Sequence, residues 1–421
     1  MAELPNPASA ESDTSSDTSS AFVNRVVLRN YRSIAACDVK LGPLVFLVGP
    51  NGSGKSNFVD ALHFVSDAVR DSLDHALRDR GGIKEVRRRS RGHPTHFGIR
   101  VEFETRDGAS GHYAFEIAAR TGGAFAVKEE ECYISLPDRE SADYYEVAEG
   151  TVKKSTLPSP PAAVEDRLYL VNVSGFAPFR VLYDALAQMG FYNLNPDVLR
   201  DLQTPDPGDL LTRDGSNVAS VFNRISSNNP ALRKRMVEYL SKVVPGISNV
   251  SHKDVGPRET LEFRQTVRGD EHPWRFLASS MSDGTIRTFG VLVALFQQAA
   301  RDTPVSLVGI EEPEIALHPA AAQVLMDSIL DASERTQVLA TSHSPDLLDS
   351  DALSDEIILA VLSEEGDTKV GRLERAGREA LREHLYTAGE LLRMDQLIPD
   401  ESARELSTEQ LNLFGNAATP S

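Results

Sequence analysis

The chain has 421 residues, 41% hydrophobic and 25% charged, with a formal net charge of −18. That length and apolar content suit two or three lobes rather than one small domain. The acidic balance excludes a globally basic nucleic-acid-binding surface, though not a local basic patch. Two cysteines, Cys37 and Cys132, offer neither a zinc site nor a disulfide framework and fit a reducing compartment. The first residues carry no basic and apolar leader, and the apolar run at 289–296 is too short to span a bilayer. A cytoplasmic protein with no membrane contact is expected.

Residues 1–20 are rich in Ser, Thr, Asp and Ala, and the pattern predicts a disordered acidic tail. Strands are expected at 23–28 and 37–41, around the turn Asn30-Tyr31-Arg32-Ser33-Ile34. A third, Leu44-Val45-Phe46-Leu47-Val48, is apolar throughout and runs into Gly49-Pro50-Asn51-Gly52-Ser53-Gly54-Lys55-Ser56. Phe58, Leu62, Val65 and Val69 then recur at helical spacing. Strand, glycine-rich loop and helix are the context in which G-x-x-x-x-G-K-[ST] becomes a phosphate-binding loop. Glycines let successive N–H groups turn toward one anion, and the helix N-terminus adds partial positive charge. Lys55 would reach the β- and γ-phosphates, and the Ser56 hydroxyl would take one position on Mg²⁺. A glycine-rich turn with a chance lysine is the bland alternative.

Against the acidic whole, residues 78–91 turn basic through Arg78, Arg80, Lys84, Arg87, Arg88, Arg89 and Arg91. They form either a solvated face or a DNA or RNA phosphate contact. Alternating apolar residues at 97–103, 113–117 and 125–134 predict antiparallel strands, separated by Arg106-Asp107-Gly108 and Thr121-Gly122-Gly123. Residues 155–163 carry three prolines and read as a loop or edge. Helices are expected at 181–189, 196–203, 218–226 and 230–244, with a polar loop at 204–216, then strands at 260–267 and 274–277. Ser282-Asp283-Gly284-Thr285 opens an apolar helix reaching about residue 300. A strand at 305–310 leads into Glu311-Glu312-Pro313-Glu314, followed by a helix at 320–330 and a strand at 337–340 ending in Thr341-Ser342-His343-Ser344. A hairpin (357–362 and 369–373), a helix at 375–391 and a frayed polar tail complete the chain. Neither an internal repeat nor the heptads of a long coiled coil is present.

The end of an apolar strand is where an α/β sheet presents carboxylates to a ligand. Glu311 can hold Mg²⁺, directly or through water, and Glu312 can polarise a water toward a γ-phosphate. His343, at the next strand end, can reach the same phosphate. In isolation the acidic run would be a charged turn; the upstream phosphate loop favours chemistry.

Together, Gly49 to Ser56, Ser282-Asp283-Gly284-Thr285, Glu311 to Pro319 and Thr341-Ser342-His343-Ser344 resemble an ABC-type ATPase head of the SMC, RecF and OLD-nuclease kind. More narrowly the chain is similar to bacterial AAA-family "predicted ATPases". Asn30-Tyr31-Arg32-Ser33 leading to Gly49-Pro50-Asn51-Gly52-Ser53-Gly54-Lys55-Ser56-Asn57 resembles the start of those heads. Asn193-Leu194-Asn195-Pro196, Asp214-Gly215-Ser216-Asn217 and Leu385-Tyr386-Thr387-Ala388-Gly389-Glu390-Leu391 resemble the narrower group less specifically.

The resemblance implies an α/β P-loop NTPase of ABC type: a mixed sheet with an antiparallel β insertion and a helical lobe. Its expected division is an acidic tail (1–20), ATPase lobe I (21–175), a helical insertion (176–255), ATPase lobe II (256–360) and a C-terminal hairpin, helix and tail (361–421). It further implies a homodimer, head to tail, with ATP and Mg²⁺ at the interface. Gly49, Pro50, Asn51, Gly52, Ser53, Gly54, Lys55, Ser56 and Asn57 would hold nucleotide as Walker A. Glu311 with Ser56 would hold Mg²⁺, and Glu312 with Lys55 and His343 would be catalytic. Ser282 and Gly284, in the signature motif, would act on the partner's γ-phosphate. Ala316-Leu317-His318 aligns with the D-loop.

Transporter ATPases usually show Ser-Gly-Gly and an Asp at the first Walker B position, so Ser282-Asp283-Gly284 and Glu311 favour the SMC/OLD side. The Q-loop glutamine has two candidates, Gln188 and Gln203, each with the bland reading of a surface residue. The expected function is an ATP-hydrolysing switch controlling nucleic-acid handling or a partner effector, in anti-phage defence or DNA repair. Too little chain follows His343 for a Toprim domain, and Asp349, Asp351 and Asp355 resemble a solvated loop. A Toprim-like or HNH nuclease would be a separate subunit. The alternatives are the ATPase subunit of a membrane transporter and a sensor that binds ATP but barely hydrolyses it.

Overall fold

The computed structural model describes residues 22–90, 94–267, 269–270, 272–297, 305–350 and 352–415. The expected acidic tail, Arg91 and Asp351 lie outside the described residues. Within them the strands form three sheets. An antiparallel sheet contains β1 (Val23–Tyr31), β2 (Ile34–Lys40), β4 (His96–Glu104), β5 (Ser110–Ala119), β6 (Phe125–Ser135), β7 (Asp143–Ala148) and β8 (Thr151–Ser155), ordered β2-β1-β4-β5-β6-β7-β8. A second contains β3 (Leu44–Val48), β9 (Gly190–Tyr192), β13 (Leu307–Glu311), β14 (Gln337–Ser342), β15 (Ile358–Glu364) and β16 (Asp367–Arg372), ordered β16-β15-β3-β14-β13-β9. The third is β10 (Ile247–Val255), β11 (Arg258–Gln265) and β12 (Trp274–Leu277).

In the second sheet all neighbours pair in parallel except the edge hairpin β15–β16. A parallel strand covered on both faces must be apolar throughout, and β3 is buried at every residue. Its side chains alternate. Val45 and Leu47 join the core formed with β1, β4, β5 and the helix Lys55–Arg70, while Leu44, Phe46 and Val48 join the core of helix Asp283–Phe296 and helix Pro319–Ser333. The phosphate-loop helix is thus sandwiched between the two large sheets. Tyr31, Phe64 and Phe97 lock that layer through edge-on ring contacts at 6.0, 5.7 and 5.5 Å.

The antiparallel strands expected at 97–134 extend the β1–β2 hairpin, because β4 pairs with β1. Fully buried Glu130 on β6 accepts from Tyr113 and Tyr145 hydroxyls and from the N–H groups of Tyr169 and Leu170, stitching that sheet to the start of the helical region.

Five expectations need correction. The stretch between two predicted helices at 181–203 holds β9, a three-residue strand too short for any periodicity to show. The hairpin at 357–373 is an edge of the parallel sheet that carries the glycine-rich loop, with β15 paired to β3. The helix predicted at 375–391 is two, Arg375–Arg382 and Ala388–Arg393; His384 turns left-handed between them, and Thr387 with Glu390 forms a capping box on the second. The tail is not frayed as far as residue 415: Leu411 and Leu413 are buried against Val27 and Ala36. The solvated aspartate loop also fails in part, since Asp355 is buried beside Arg382 and Asp349 binds Thr387 and Arg393.

Candidate functional site

Strand register assembles the site. Val48 lies opposite Ser342, Leu47 opposite Thr341, and Thr341 opposite Glu311. The residues that leave these three neighbouring strands, Gly49, His343 and Glu312, therefore emerge side by side at one sheet edge.

The loop turns left-handed at Gly52 (φ 77°) and Gly54 (φ 105°), where a side chain would be strained. A Cβ on Gly49 would collide with the Val361 carbonyl, and one on Gly54 with the Thr368 side chain. Thr368, on β16, supports the loop through a hydroxyl relay. Asn57 Nδ2 donates to Ser33 Oγ (2.6 Å), Ser33 lies 2.7 Å from Thr368 Oγ1, and Thr368 donates to the Ser53 carbonyl (2.9 Å). Asn57 is thereby engaged in holding the loop's base. Pro50, Asn51, Gly52 and Ser56 are exposed, whereas Ser53 is buried, its Oγ without a partner among the described residues. Lys55 is buried, its Nζ donating to the carbonyls of Gly49 (2.8 Å) and Pro50 (3.0 Å). Burial holds its pKa below the ordinary lysine range, with Glu312 and Glu314 pulling the other way.

Glu312 adopts φ 45°, a strained conformation for a non-glycine residue. Its N–H is shared by the carbonyl and hydroxyl of Thr341, both at 3.1 Å, and its Oε1 lies 3.1 Å from His343 Nδ1. That ring nitrogen is buried and off the hydrogen-bonding direction, so the contact is an ion pair only when His343 is protonated. Glu311 Oε1 takes Arg213 Nη2 at 3.0 Å. Glu314 is buried and accepts from Ser342 Oγ (2.7 Å) and His343 N–H (3.3 Å), and its Oε2 has no partner among the described residues. Burial raises its pKa, and those hydrogen bonds only partly offset the shift.

Ser282 caps the helix Asp283–Phe296: its Oγ accepts the Thr285 N–H (3.3 Å) and lies 2.8 Å from Thr285 Oγ1. Asp283 pairs with Arg200. Gly284 packs on the turn after Glu314, where a Cβ would reach the carbonyl of Ala316. Lys55, Glu311, Glu312 and His343 thus gather at one edge, and the Ser282 helix abuts that edge through Gly284. The hydrogen bonds of Ser282 are to its own helix rather than to the phosphate loop.

Sequence reasoning missed Arg287, Arg213 and Thr368, for single cations and hydroxyls carry no periodic signal. It also missed the strand beside β13. Gln188 caps a helix that ends before β9, at the amino end of that strand and away from the phosphate loop. Gln203 is buried rather than exposed, bonding the Gly215 carbonyl and the Ala219 N–H. The residues leaving the carboxyl end of β9 are Asn193 and Asn195, which line an open groove with Arg213 and Arg287.

The basic run is largely structural. Arg80 is buried between Asp60 (2.9 Å) and Asp67 (3.0 Å), with its guanidinium over the Phe64 ring. Arg88 pairs with Asp367, Arg78 with Asp74, and Arg89 with Glu85, while Arg87 donates to the Pro94 carbonyl. Every described arginine of the run therefore has a partner, which leaves less unmatched positive charge than the sequence suggested.

A glycine-rich loop on a central strand, paired glutamates two strands away, a histidine between them and a serine-capped helix give the chain the fold of an SMC-type head domain. Residues 44–349 match the family described as "AAA domain, putative AbiEii toxin, Type IV TA system". The chain belongs to that family. It is 41% identical over 44 residues to the DNA replication and repair protein RecF of Vibrio vulnificus, and 58% identical over 46 residues to that of Porphyromonas gingivalis. Those stretches are 10% and 11% of this chain and 12% and 13% of the relatives, so the chain spans about an eighth of their length. In fold it is similar to the Smc head domain with an extended coiled coil bound to the C-terminal domain of ScpA from Pyrococcus furiosus, at TM-score 0.50 and 13% identity, covering 86% of this chain and 99% of that one. Among the described residues, no helix is long and apolar enough to cross a membrane.

Proposed function

We propose that the chain binds and hydrolyses Mg-ATP as a switch, closing head to tail on a second copy when ATP is bound. The observation that carries this reading is the register that brings Gly49, His343 and Glu312 to one edge. The side chains there fit a magnesium–triphosphate group. Glycines supply the left-handed turns, buried Lys55 donates to carbonyls of its own loop, and among the described residues Ser53 Oγ and Glu314 Oε2 have no partner. The exposed Ser56 hydroxyl and Glu311 are the hard oxygen donors Mg²⁺ prefers. Bound Mg²⁺ would neutralise charge on the β- and γ-phosphates.

Gly49 to Asn57 would cradle the phosphates, with Asn57 acting from behind through Ser33. Lys55 would compensate γ-phosphate charge. Glu312 would orient and deprotonate water, and His343 would hold the Glu312 carboxylate and the γ-phosphate in line. Ser282 and Gly284, at a helix N-terminus, would present N–H groups to the nucleotide of the second copy. The Arg213 pairing means that Glu311 exchanges a guanidinium for the metal.

Control of nucleic-acid handling or of a partner effector is the biological role this reading favours, supported by the RecF-like segments. A separate nuclease subunit, Toprim-like or HNH, is the effector proposed. A DNA or RNA contact is proposed for the exposed edge of the basic run, Arg78, Lys84 and Arg89. The test is nucleotide binding and turnover. Lys55→Ala should lose ATP binding, and unchanged affinity would overturn the assignment of the loop. Glu312→Gln should bind ATP and hydrolyse it about 10²–10³-fold more slowly. Normal turnover in Glu312→Gln with loss in Glu311→Gln would reverse the two roles.

A further inference from the structure

Arg287 lies five residues after Ser282 on the helix Asp283–Phe296, buried to 7% exposure. Its guanidinium reaches out of that helix and into the carboxylate edge. Nη1 donates to the Leu194 carbonyl at 2.6 Å, in the segment following β9. Nη2 is shared by the carbonyls of Glu311 at 3.3 Å and Glu312 at 3.2 Å. Among the described residues, its buried Nε has no partner. A buried charge is costly unless fully paired, and this one binds main-chain carbonyls rather than a carboxylate. Burial holds its pKa below the ordinary arginine range, with Glu312, Glu314 and Glu311 pulling the other way.

The Glu312 backbone explains what such an arrangement can do. A left-handed glutamate persists only where its surroundings over-determine it. Here the N–H is fixed by Thr341 of β14 and the C=O by Arg287. One clamp therefore belongs to the sheet and the other to the helix that Ser282 begins. Gly284 adds a second joint on the same helix, packed against the Ala316 carbonyl. With two fixed joints to one short turn, that helix cannot shift without carrying Glu312 along.

We infer that Arg287 is a positioning residue, holding the Glu312 carboxylate in its productive direction and coupling it to the Ser282 helix of the same chain. The inference rests on the two-site dimer proposed above. In that dimer the Ser282 helix meets the nucleotide of one site while Glu312 serves the other. Arg287 is then the link by which occupancy of one site aligns the catalytic glutamate of the second.

The experiment is steady-state ATP turnover against ATP concentration for wild type, Arg287→Gln and Arg287→Lys, with thermal melts of each. Wild type should show a Hill coefficient approaching about 2, the number of sites. Arg287→Gln should keep KM within about threefold, lose about 10²-fold in kcat, as a misplaced catalytic group does, and drop to a Hill coefficient of about 1. Arg287→Lys, which keeps the charge but not the fork, should recover about a tenth of wild-type kcat. A folded Arg287→Gln with unchanged kcat and cooperativity would overturn the inference, as would a non-cooperative wild type. Should Arg287→Gln not fold, Arg287→Lys decides, and wild-type kcat and cooperativity in it would overturn the inference equally. Failure of the dimer reading shows separately, as Glu312→Gln remaining monomeric with Mg-ATP.

Discussion

Lys55 has an ammonium group held by two carbonyls of its own loop, and burial depresses its pKa. Polyphosphate would favour the charged lysine, so binding raises that pKa again. Below the lowered value the lysine is protonated in both states and affinity is flat. As pH rises through it, affinity should fall and proton uptake should appear. Calorimetry of ATP binding in two buffers of different ionisation enthalpy measures that uptake; none at any alkaline pH would contradict the assignment. Glu314 runs in the opposite sense. Its folded pKa is raised by burial, so its neutral form is favoured in the fold. The associated stability is complete below the ordinary carboxylate value of 4.5 and is lost as pH rises through the raised value. Glu314→Gln should therefore gain in melting temperature relative to wild type between pH 4.5 and neutrality. A pH-independent difference would argue against that account.

At the scale of elements, the strands and helices that carry motifs were legible because each pairs a periodic pattern with punctuation. Leu44 to Val48 is an apolar run stopped by glycine, and the helix after it shows its stripe at once. What escaped was set by tertiary contact. The strand Gly190–Tyr192 is three residues long and exists because Val308 to Ile310 pairs with it. The hairpin at 357–373 was visible as a hairpin, but nothing local says that its first strand joins β3. Its second strand delivers Thr368 beneath Gly54, the contact that explains why this loop takes no side chain there. Thr368→Val keeps the shape and removes the hydroxyl, leaving Ser33 and the Ser53 carbonyl short of a partner. It should cost about 1–3 kcal/mol of stability and weaken ATP binding. Denaturant unfolding with and without ATP measures both, and a variant as stable as wild type would show the relay to be incidental.

Taken whole, the molecule binds a late segment of its chain onto the antiparallel sheet. The segment reaching residue 415 lies across the antiparallel sheet, its carbonyls at Leu411, Leu413 and Gly415 held by Arg29 and Arg100. Leu413→Ala should cost about 2 kcal/mol, the low end for a buried leucine, because its cluster is small; a change under a few tenths would mean that the segment does not dock. The basic run teaches a related lesson about charge. Arg80 looked like part of a nucleic-acid surface in the sequence, yet it belongs to a buried network with Asp60 and Asp67 behind the phosphate-loop helix. Sequence shows how many charges there are and not which are spent on one another.

The central claim is that ATP closes two copies of this chain on each other, with Glu312 opening them again by hydrolysis. Light scattering of Glu312→Gln during size exclusion, with and without Mg-ATP, tests it most directly. The account predicts a monomer alone, a dimer of twice 46.0 kDa with Mg-ATP, and a monomer in both conditions once Lys55→Ala is added. A Glu312→Gln protein that binds ATP yet stays at 46.0 kDa would contradict it.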